Sequence, residues 1–256
     1  MRSRVKTILM LLLVIFLLPL AIRAAFYYST ARPGTWRDAD WSSTHLLPPA
    51  KSDPDARVLV LSGRTGRWRS IFAVHSWIVV KPENAETYTR YDLTGFGRPL
   101  HVNGWAPDAR WFGNTPFVVA DVRGPEAAGA IPKIQAAIAA YPFARLGDYR
   151  LWPGPNSNSF VANVLRAVPE LAVAMPPEAI GKDYRADGAF VGLTGSKTGV
   201  EASLWGLLGV KLGWVEGIEV NLLTLVAGLD VRRPAVKLPG LGRIGIEPTL
   251  ATAKPR

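Results

Sequence analysis

Between Leu151 and Val168 the chain reads Leu-Trp-Pro-Gly-Pro-Asn-Ser-Asn-Ser-Phe-Val-Ala-Asn-Val-Leu-Arg-Ala-Val, and no other stretch limits the possible folds so sharply. Pro153 and Pro155 fix φ and restrict the residues before them, while Gly154 permits a bend. Counted from Ser157, the apolar residues Phe160, Val161, Val164, Leu165 and Val168 fall at helical spacing. The segment is therefore expected to be a stiff turn that hands the chain to an amphipathic helix, with Ser157 on the buried stripe. The rest of the core has to be built against that stripe.

The polar run at the start of this helix is suited to chemistry as well as to structure. Asn156, Ser157 and Asn158 are all favoured N-cap residues, and a single cap accounts for only one of them. No Glu or Gln stands three places on to complete a capping box, so four polar residues in a row exceed what capping requires. A serine in a first helical turn lies near the partial positive charge of unpaired N–H groups, which favours a developing anion. Its hydroxyl still needs a base within reach.

Histidine is the side chain best suited to that task near neutral pH. Of the three in the chain, His45 falls in a proline-rich linker and His101 in a turn-rich segment. His75 falls within Ile71–Val80, which is apolar on both faces and so belongs at the centre of a covered sheet, with Trp77 on the same face as His75. The plainer reading is a core histidine bonded to backbone or to a buried serine.

The remaining pattern is α+β. Arg57–Leu61, Thr87–Leu93 and Phe117–Val122 read as further strands, and Glu126–Tyr141 as a helix with Ile131, Ile134, Ile138 and Tyr141 on one face. Tyr88, Arg90 and Asp92 share a face of their strand; Arg90 and Asp92 read either as a solvated ion pair or with Arg90 orienting an acidic ligand. Glu201–Leu212 and Ile218–Ala227 read as a hairpin about Trp214–Gly217, with Glu219 and Asn221 on a polar face. Gly192–Gly199 fails as a phosphate loop, because Val191 and Ser196 stand where glycines are required.

Charge and composition set the surroundings. The net charge is +10, but Arg2, Arg4, Lys6 and Arg23 lie in a leader without acids, and six bases against Glu247 lie beyond residue 230. The body between is close to neutral, which argues against nucleic acid and for a protein held near a membrane. Thr7–Ile22 is apolar, broken only by Pro19, and Phe26, Tyr27 and Tyr28 extend it as an interfacial aromatic belt. Those bulky rings occupy the place where a signal peptide needs small residues, so an uncleaved anchor is expected. The basic leader directs the body to the outer side of the plasma membrane. Cysteine is absent, which removes disulfides and thiolate chemistry. No cofactor or metal is implied. The expected division is a membrane segment at 1–28, a linker at 29–56, an α+β domain at 57–230 and a loosely ordered basic tail at 231–256.

Several phrases resemble an uncharacterised bacterial family, the domain of unknown function 3750 family: His75-Ser-Trp-Ile-Val, Trp152-Pro-Gly-Pro-Asn-Ser-Asn-Ser-Phe, Ala179-Ile-Gly-Lys-Asp-Tyr, Glu219-Val-Asn-Leu-Leu and Lys237-Leu-Pro-Gly-Leu-Gly. The resemblance runs from about Arg57 to Ile246 and brings no activity with it. A more distant similarity is to the circularly permuted papain-like class, which includes lecithin–retinol acyltransferase-like proteins. It implies an antiparallel sheet packed on helices, with His75 on the histidine strand and Asn156-Ser157-Asn158-Ser159-Phe160 at the helix start. Ser157 stands in the place of the nucleophilic cysteine, and Tyr88 or Arg90 stands on the strand of the third member. Two readings remain open. One is a hydrolase or acyltransferase acting on an envelope amide or ester, with Ser157 attacking, His75 accepting its proton, and Asn156, Asn158 or helix N–H groups holding the oxyanion. The other is a non-catalytic envelope protein in which Arg90 and Trp152 contact a ligand or serve structure alone.

Overall fold

A computed structural model describes residues 2–30 and 34–246. The architecture is α+β, with two antiparallel sheets. The first contains β1 (Arg57–Arg64), β2 (Val74–Lys81), β3 (Thr89–Leu93), β4 (Leu100–Val102) and β5 (Phe117–Arg123), in the order β4-β3-β2-β1-β5. β2 lies at the centre, as its two-sided apolar pattern requires, although Ile71 belongs to a 3-10 turn at Arg67–Ile71 before it. His101, expected in a turn, is the middle residue of β4.

One face of this sheet is covered by α2 (Pro125–Ala139) and α3 (Ser157–Arg166). Val60, Val74, Ile78 and Leu93 pack there against Ile131, Ile134, Ile138 and Tyr141 of α2 and its exit, and against Phe160, Val161, Val164 and Leu165 of α3. The helical spacing read from both segments thus points into one core. The opposite face, with Leu59, Leu61, Trp77 and Val79, is covered by Leu47 and Tyr88. The loop before β5 closes over it, its Pro107 carbonyl accepting from the Trp77 indole at 2.9 Å. The expected linker therefore covers a sheet face, and Ser43 pairs with Ala109.

The second sheet is a seven-stranded meander: β6 (Val191–Leu193), β7 (Gly199–Leu204), β8 (Leu208–Gly213), β9 (Gly217–Leu222), β10 (Leu225–Asp230), β11 (Ala235–Leu238) and β12 (Gly242–Gly245). Two expectations change here. The supposed single hairpin is four strands, because turns at 205–207 and 223–224 divide each apolar run. The basic tail is not loose through residue 245: β11 and β12 extend the meander, and Lys237 is buried within it. Residues 247–256 lie outside the described part.

The face of this sheet that turns inward is the polar one. Lys182 donates to Glu219 at 2.5 Å and to Asp183 at 3.1 Å, Lys237 donates to Glu219 at 2.6 Å, and Lys211 lies 2.6 Å from Asp183. Buried charges are tolerated when each has partners, and the lysine and acid positions alternate with apolar ones so that they do. These partners hold the carboxyls of Asp183 and Glu219 below the usual range against the opposing cost of burial.

α1 (Arg2–Tyr28) packs by its second half against the 3-10 turn and against β10 and β11, with Phe16 and Pro19 buried. Its Met10–Tyr28 portion is long and apolar enough to cross a membrane.

Phe160 is fully buried where α3 meets the sheet and lies edge-on to Tyr141, ring centroids 5.2 Å apart. Phe160→Ala is expected to lower unfolding stability by about 3–5 kcal/mol in denaturant titration, since truncation leaves a cavity that a two-sided core cannot close.

Candidate functional site

The mouth of α3 is fixed by its own polar residues. The Asn156 side-chain oxygen accepts from the backbone N–H groups of Asn158 (2.9 Å) and Ser159 (3.1 Å), while the Ser159 hydroxyl accepts from Asn156 N (3.2 Å). This is a reciprocal capping box with serine in the place usually filled by Glu or Gln. With neither Glu nor Gln at position 159, the pattern does not announce a box. The Asn156 amide donates to the carbonyls of Leu151 and Ile180, and the Ser159 hydroxyl to Gly181. Gly181 has φ +95°, and a Cβ there would lie 2.4 Å from the Asn156 amide, so the close approach demands glycine.

Asn158 ties the helix to the sheet. Its amide donates to Val74 (3.0 Å), the first residue of β2, and to Ile180 (2.8 Å). Its side-chain oxygen is buried without a hydrogen-bond partner. Asn156, Asn158 and Ser159 thus have structural duties, which leaves Ser157. Its hydroxyl and backbone both bond to the phenol of Tyr149; burial pushes that phenol up and the Ser157 contacts oppose the shift.

His75 belongs to a second buried assembly. Its Nε2 bonds to Asp92 Oδ1 at 2.9 Å. Arg90 grips the same carboxylate through Nε (2.7 Å) and Nη2 (2.9 Å), and donates from Nη1 to the Ala106 carbonyl (2.8 Å). The guanidinium lies 4.0 Å from the Trp77 ring centre, and the imidazole stacks on Trp111 with centroids 3.7 Å apart. The pairing of Val79 with Arg90 explains the assembly: it brings Arg90 and Asp92 to the face of β3 that continues the Trp77 and His75 face of β2.

Two expectations are corrected by this geometry. Arg90 is fully buried and committed to Asp92 and Ala106, so the pair is the reverse of a solvated one. The group that holds His75 is Asp92, not Tyr88 or Arg90; the Tyr88 hydroxyl accepts from Arg57 at 3.1 Å. Burial pushes the His75 imidazole below its ordinary value, with Asp92 only partly opposing. Burial also opposes ionisation of Asp92, but the bonds from His75 and Arg90 outweigh it and hold that carboxyl low. A neutral imidazole bonded to a carboxylate carries its proton on Nε2, which leaves Nδ1 as the acceptor.

His75, Asn158, Ser157, Tyr149 and Trp152 line one cleft of about 690 Å³. The 3-10 turn supplies its rim through Arg67, Trp68 and Arg69, all exposed, and Trp111 and Phe112 form an apolar wall. Trp152 donates to the Thr224 hydroxyl at 2.9 Å and so joins the cleft to the second sheet. His75 and Ser157 approach from different sides. Val74 faces α3, whereas His75, the next residue, projects toward Trp111. Among the described residues no hydrogen bond joins His75 to Ser157; their polar partners are Asp92 and Tyr149 respectively. The amides of Asn158 and Ser159 already cap the helix, so they are not free to hold an oxyanion.

Among the described residues no group of three His, Asp or Glu side chains is placed to hold a metal ion. Asp92 and Tyr149 are the site residues that sequence reasoning missed. Asp92 was visible as a face-mate of Arg90, but its bond to His75 depends on strand register, and nothing local marks Tyr149.

Residues 55–184 match a family model described as a protein of unknown function (DUF3750). The matched part contains the whole first sheet, α2, α3 and the turn at Gly181, and stops before the meander. No curated protein and no solved structure matches the chain.

The lowered proton affinity of folded His75 has a measurable sign. The unfolded chain binds that proton near pH 6.5 and the native state only at lower pH, so stability is complete above that region and declines as pH falls through it. Denaturant unfolding at pH 7.5 and 5.5 should show this decline, and His75→Gln should reduce it.

Proposed function

The chain belongs to the domain of unknown function 3750 family, and from that premise we propose a membrane-anchored envelope protein whose cleft receives an anionic amphiphile. One observation carries the reading: the turn that forms the cleft rim, Arg67–Ile71, is also the turn against which the apolar helix α1 docks. An anchor so placed brings the mouth of the cleft to the membrane surface. Arg67 and Arg69 suit a carboxylate or phosphate headgroup, with the Arg69 guanidinium lying 5.2 Å from the Trp68 ring centre. Trp111, Phe112 and Trp152 suit the apolar portion, and the unpartnered Asn158 oxygen suits an amide or hydroxyl donor. The bases Arg2, Arg4 and Lys6 favour a cytoplasmic N-terminus and a body on the outer side of the plasma membrane.

A second reading makes the same cleft catalytic, and the His75–Asp92 pair favours it. In a serine-dependent hydrolase or acyltransferase, Ser157 Oγ attacks an ester or amide carbonyl and His75 Nδ1 takes the hydroxyl proton. The carbonyl-to-leaving-group bond breaks as that proton passes to the leaving group, and water or an acceptor then releases the acyl chain. The Tyr149 hydroxyl, bonded to Ser157, is the oxyanion donor of this reading. The order of histidine strand, carboxylate strand and later serine-led helix resembles the permuted papain-like order, with Asp92 standing for the third member. This reading requires the imidazole to leave Trp111 and cross the start of β2. The binding reading requires no such movement, and for that reason stands first.

The two separate in solution. The full-length protein in detergent is expected to bind a fluorescent fatty-acid carboxylate, with Arg67→Gln/Arg69→Gln weakening it about tenfold, or ~1.4 kcal/mol. Equal affinity in that variant rejects the binding reading. A serine-directed fluorophosphonate that labels the wild type but not Ser157→Ala supports catalysis, whereas labelling that persists in the variant removes Ser157 from that role.

A further inference from the structure

We infer that the outward face of the seven-stranded sheet lies on the lipid bilayer, so that the body is seated in the membrane interface rather than suspended above it by α1. This deepens the anchor reading of α1 and rests on it. The meander has the polarity of a water-soluble sheet turned inside out. Val200, Val210, Leu212, Ile218, Val220 and Leu229 are each between 42% and 55% exposed, while their alternating neighbours Glu201, Lys211, Glu219 and Asn221 point inward to the buried network. The register makes the apolar residues contiguous: Val200 opposes Leu212, Leu212 opposes Ile218, Ile218 opposes Leu229, Leu229 opposes Val236, and Val236 opposes Ile244. An apolar surface continuous over six strands, β7 to β12, is the mark of a contact face rather than of isolated apolar side chains left to water.

The depth of α1 selects lipid as the occupant. Phe16 is 4% exposed, buried against the body, while Met10 to Ile15 on the same helix are open. Phe16 and Pro19 are buried and Gly240 approaches Leu20 and Arg23, and from Phe16 to Arg23 an α-helix rises about 10 Å, so the body lies beside part of the span and not only beyond its end. Hydrocarbon at that depth accepts only an apolar protein surface. α1 meets the body along β10 and β11, two strands of this same sheet.

The ends of the strands agree. Trp205 and Trp214 are 58% and 59% exposed in turns at opposite ends of β8, where indoles favour the boundary between headgroups and chains. Lys197 and Arg232, both exposed, lie in the turns at the Trp214 end, placed for anionic headgroups. A second copy of the chain would cover the apolar face, but would explain neither these ends nor the depth of α1. The strands do not span the bilayer: six residues is below the nine to eleven or so that a transmembrane strand needs, and the edges at β6 and β12 would lose backbone partners in hydrocarbon.

The absence of cysteine permits a direct test on the full chain. Single substitutions Leu212→Cys on the sheet, Val14→Cys on α1 and Glu86→Cys on the exposed β2–β3 turn would carry an environment-sensitive NBD label. Each variant would be reconstituted in phosphatidylethanolamine–phosphatidylglycerol vesicles and challenged with nitroxide lipids and aqueous iodide. The label at position 212 is expected to be blue-shifted, quenched by nitroxide lipid about as strongly as that at position 14, and protected from iodide, with position 86 behaving oppositely. Iodide quenching at position 212 overturns the inference, as does protection without lipid quenching, which would indicate a protein partner such as a second copy. Lipid quenching at position 14 but not 212 leaves the anchor and removes the seated sheet. Quenching at 212 but not 14 keeps the seated sheet and removes the spanning helix.

Discussion

The amide of Asn158, shared between the carbonyls of Val74 and Ile180, is the joint on which the candidate site depends. It joins the first turn of α3, the start of β2 and the Gly181 turn, three segments far apart in sequence. A helix pressed on a sheet by apolar contact alone can slide by a residue, because hydrophobic packing is not directional. Two directed bonds to backbone oxygens fix the register, and the capping box of Asn156 and Ser159 fixes the helix start in turn. Ser157 has its position because its neighbours on either side are immobilised. The cost of this arrangement is the unpartnered Asn158 oxygen, a buried acceptor on a residue that lines the cleft.

His75 is held by a different principle. Charge groups at the centre of a covered sheet persist only as a closed set, and Asp92 is the shared member: it accepts from Arg90 and from His75, while Trp77 and Trp111 enclose the guanidinium and the imidazole. Enclosure of this kind makes the imidazole a weak base in the resting state and prevents it from turning freely. The same burial that keeps it neutral therefore also keeps it away from Ser157, so a reaction would require rearrangement while ligand binding would not.

The parts of this arrangement that were legible in sequence are those set by short-range periodicity. α2 and α3, the central place of β2 and the apolar N-terminal run follow from spacing and composition that each segment carries by itself. The serine-for-glutamate capping box was hidden because it depends on backbone geometry at Asn156. The His75–Asp92 bond was hidden because it depends on which strand lies beside β2 and in what register. The meander shows a third limit. Its alternation was visible at Glu219, Val220 and Asn221, but alternation is symmetric: it separates two faces without saying which one is inside. The lysines and acids of neighbouring strands settle that, by finding each other.

This inversion gives the two halves of the body different relations to their surroundings. Residues 55–184, the part matched by the family, form a sheet covered on both faces, whose polar groups converge on a cleft. The following meander, outside that match, is covered on one face only, and contributes Leu223, Thr224 and Leu225 to the wall of the cleft. Trp152 crosses the join by its bond to Thr224. If the meander rests on lipid, that bond sets the height of the cleft above the bilayer as well as its width. A ligand that begins in the membrane would then meet Arg67, Trp68 and Trp152 before it reached Ser157, and recognition of its headgroup would precede any contact with the helix mouth.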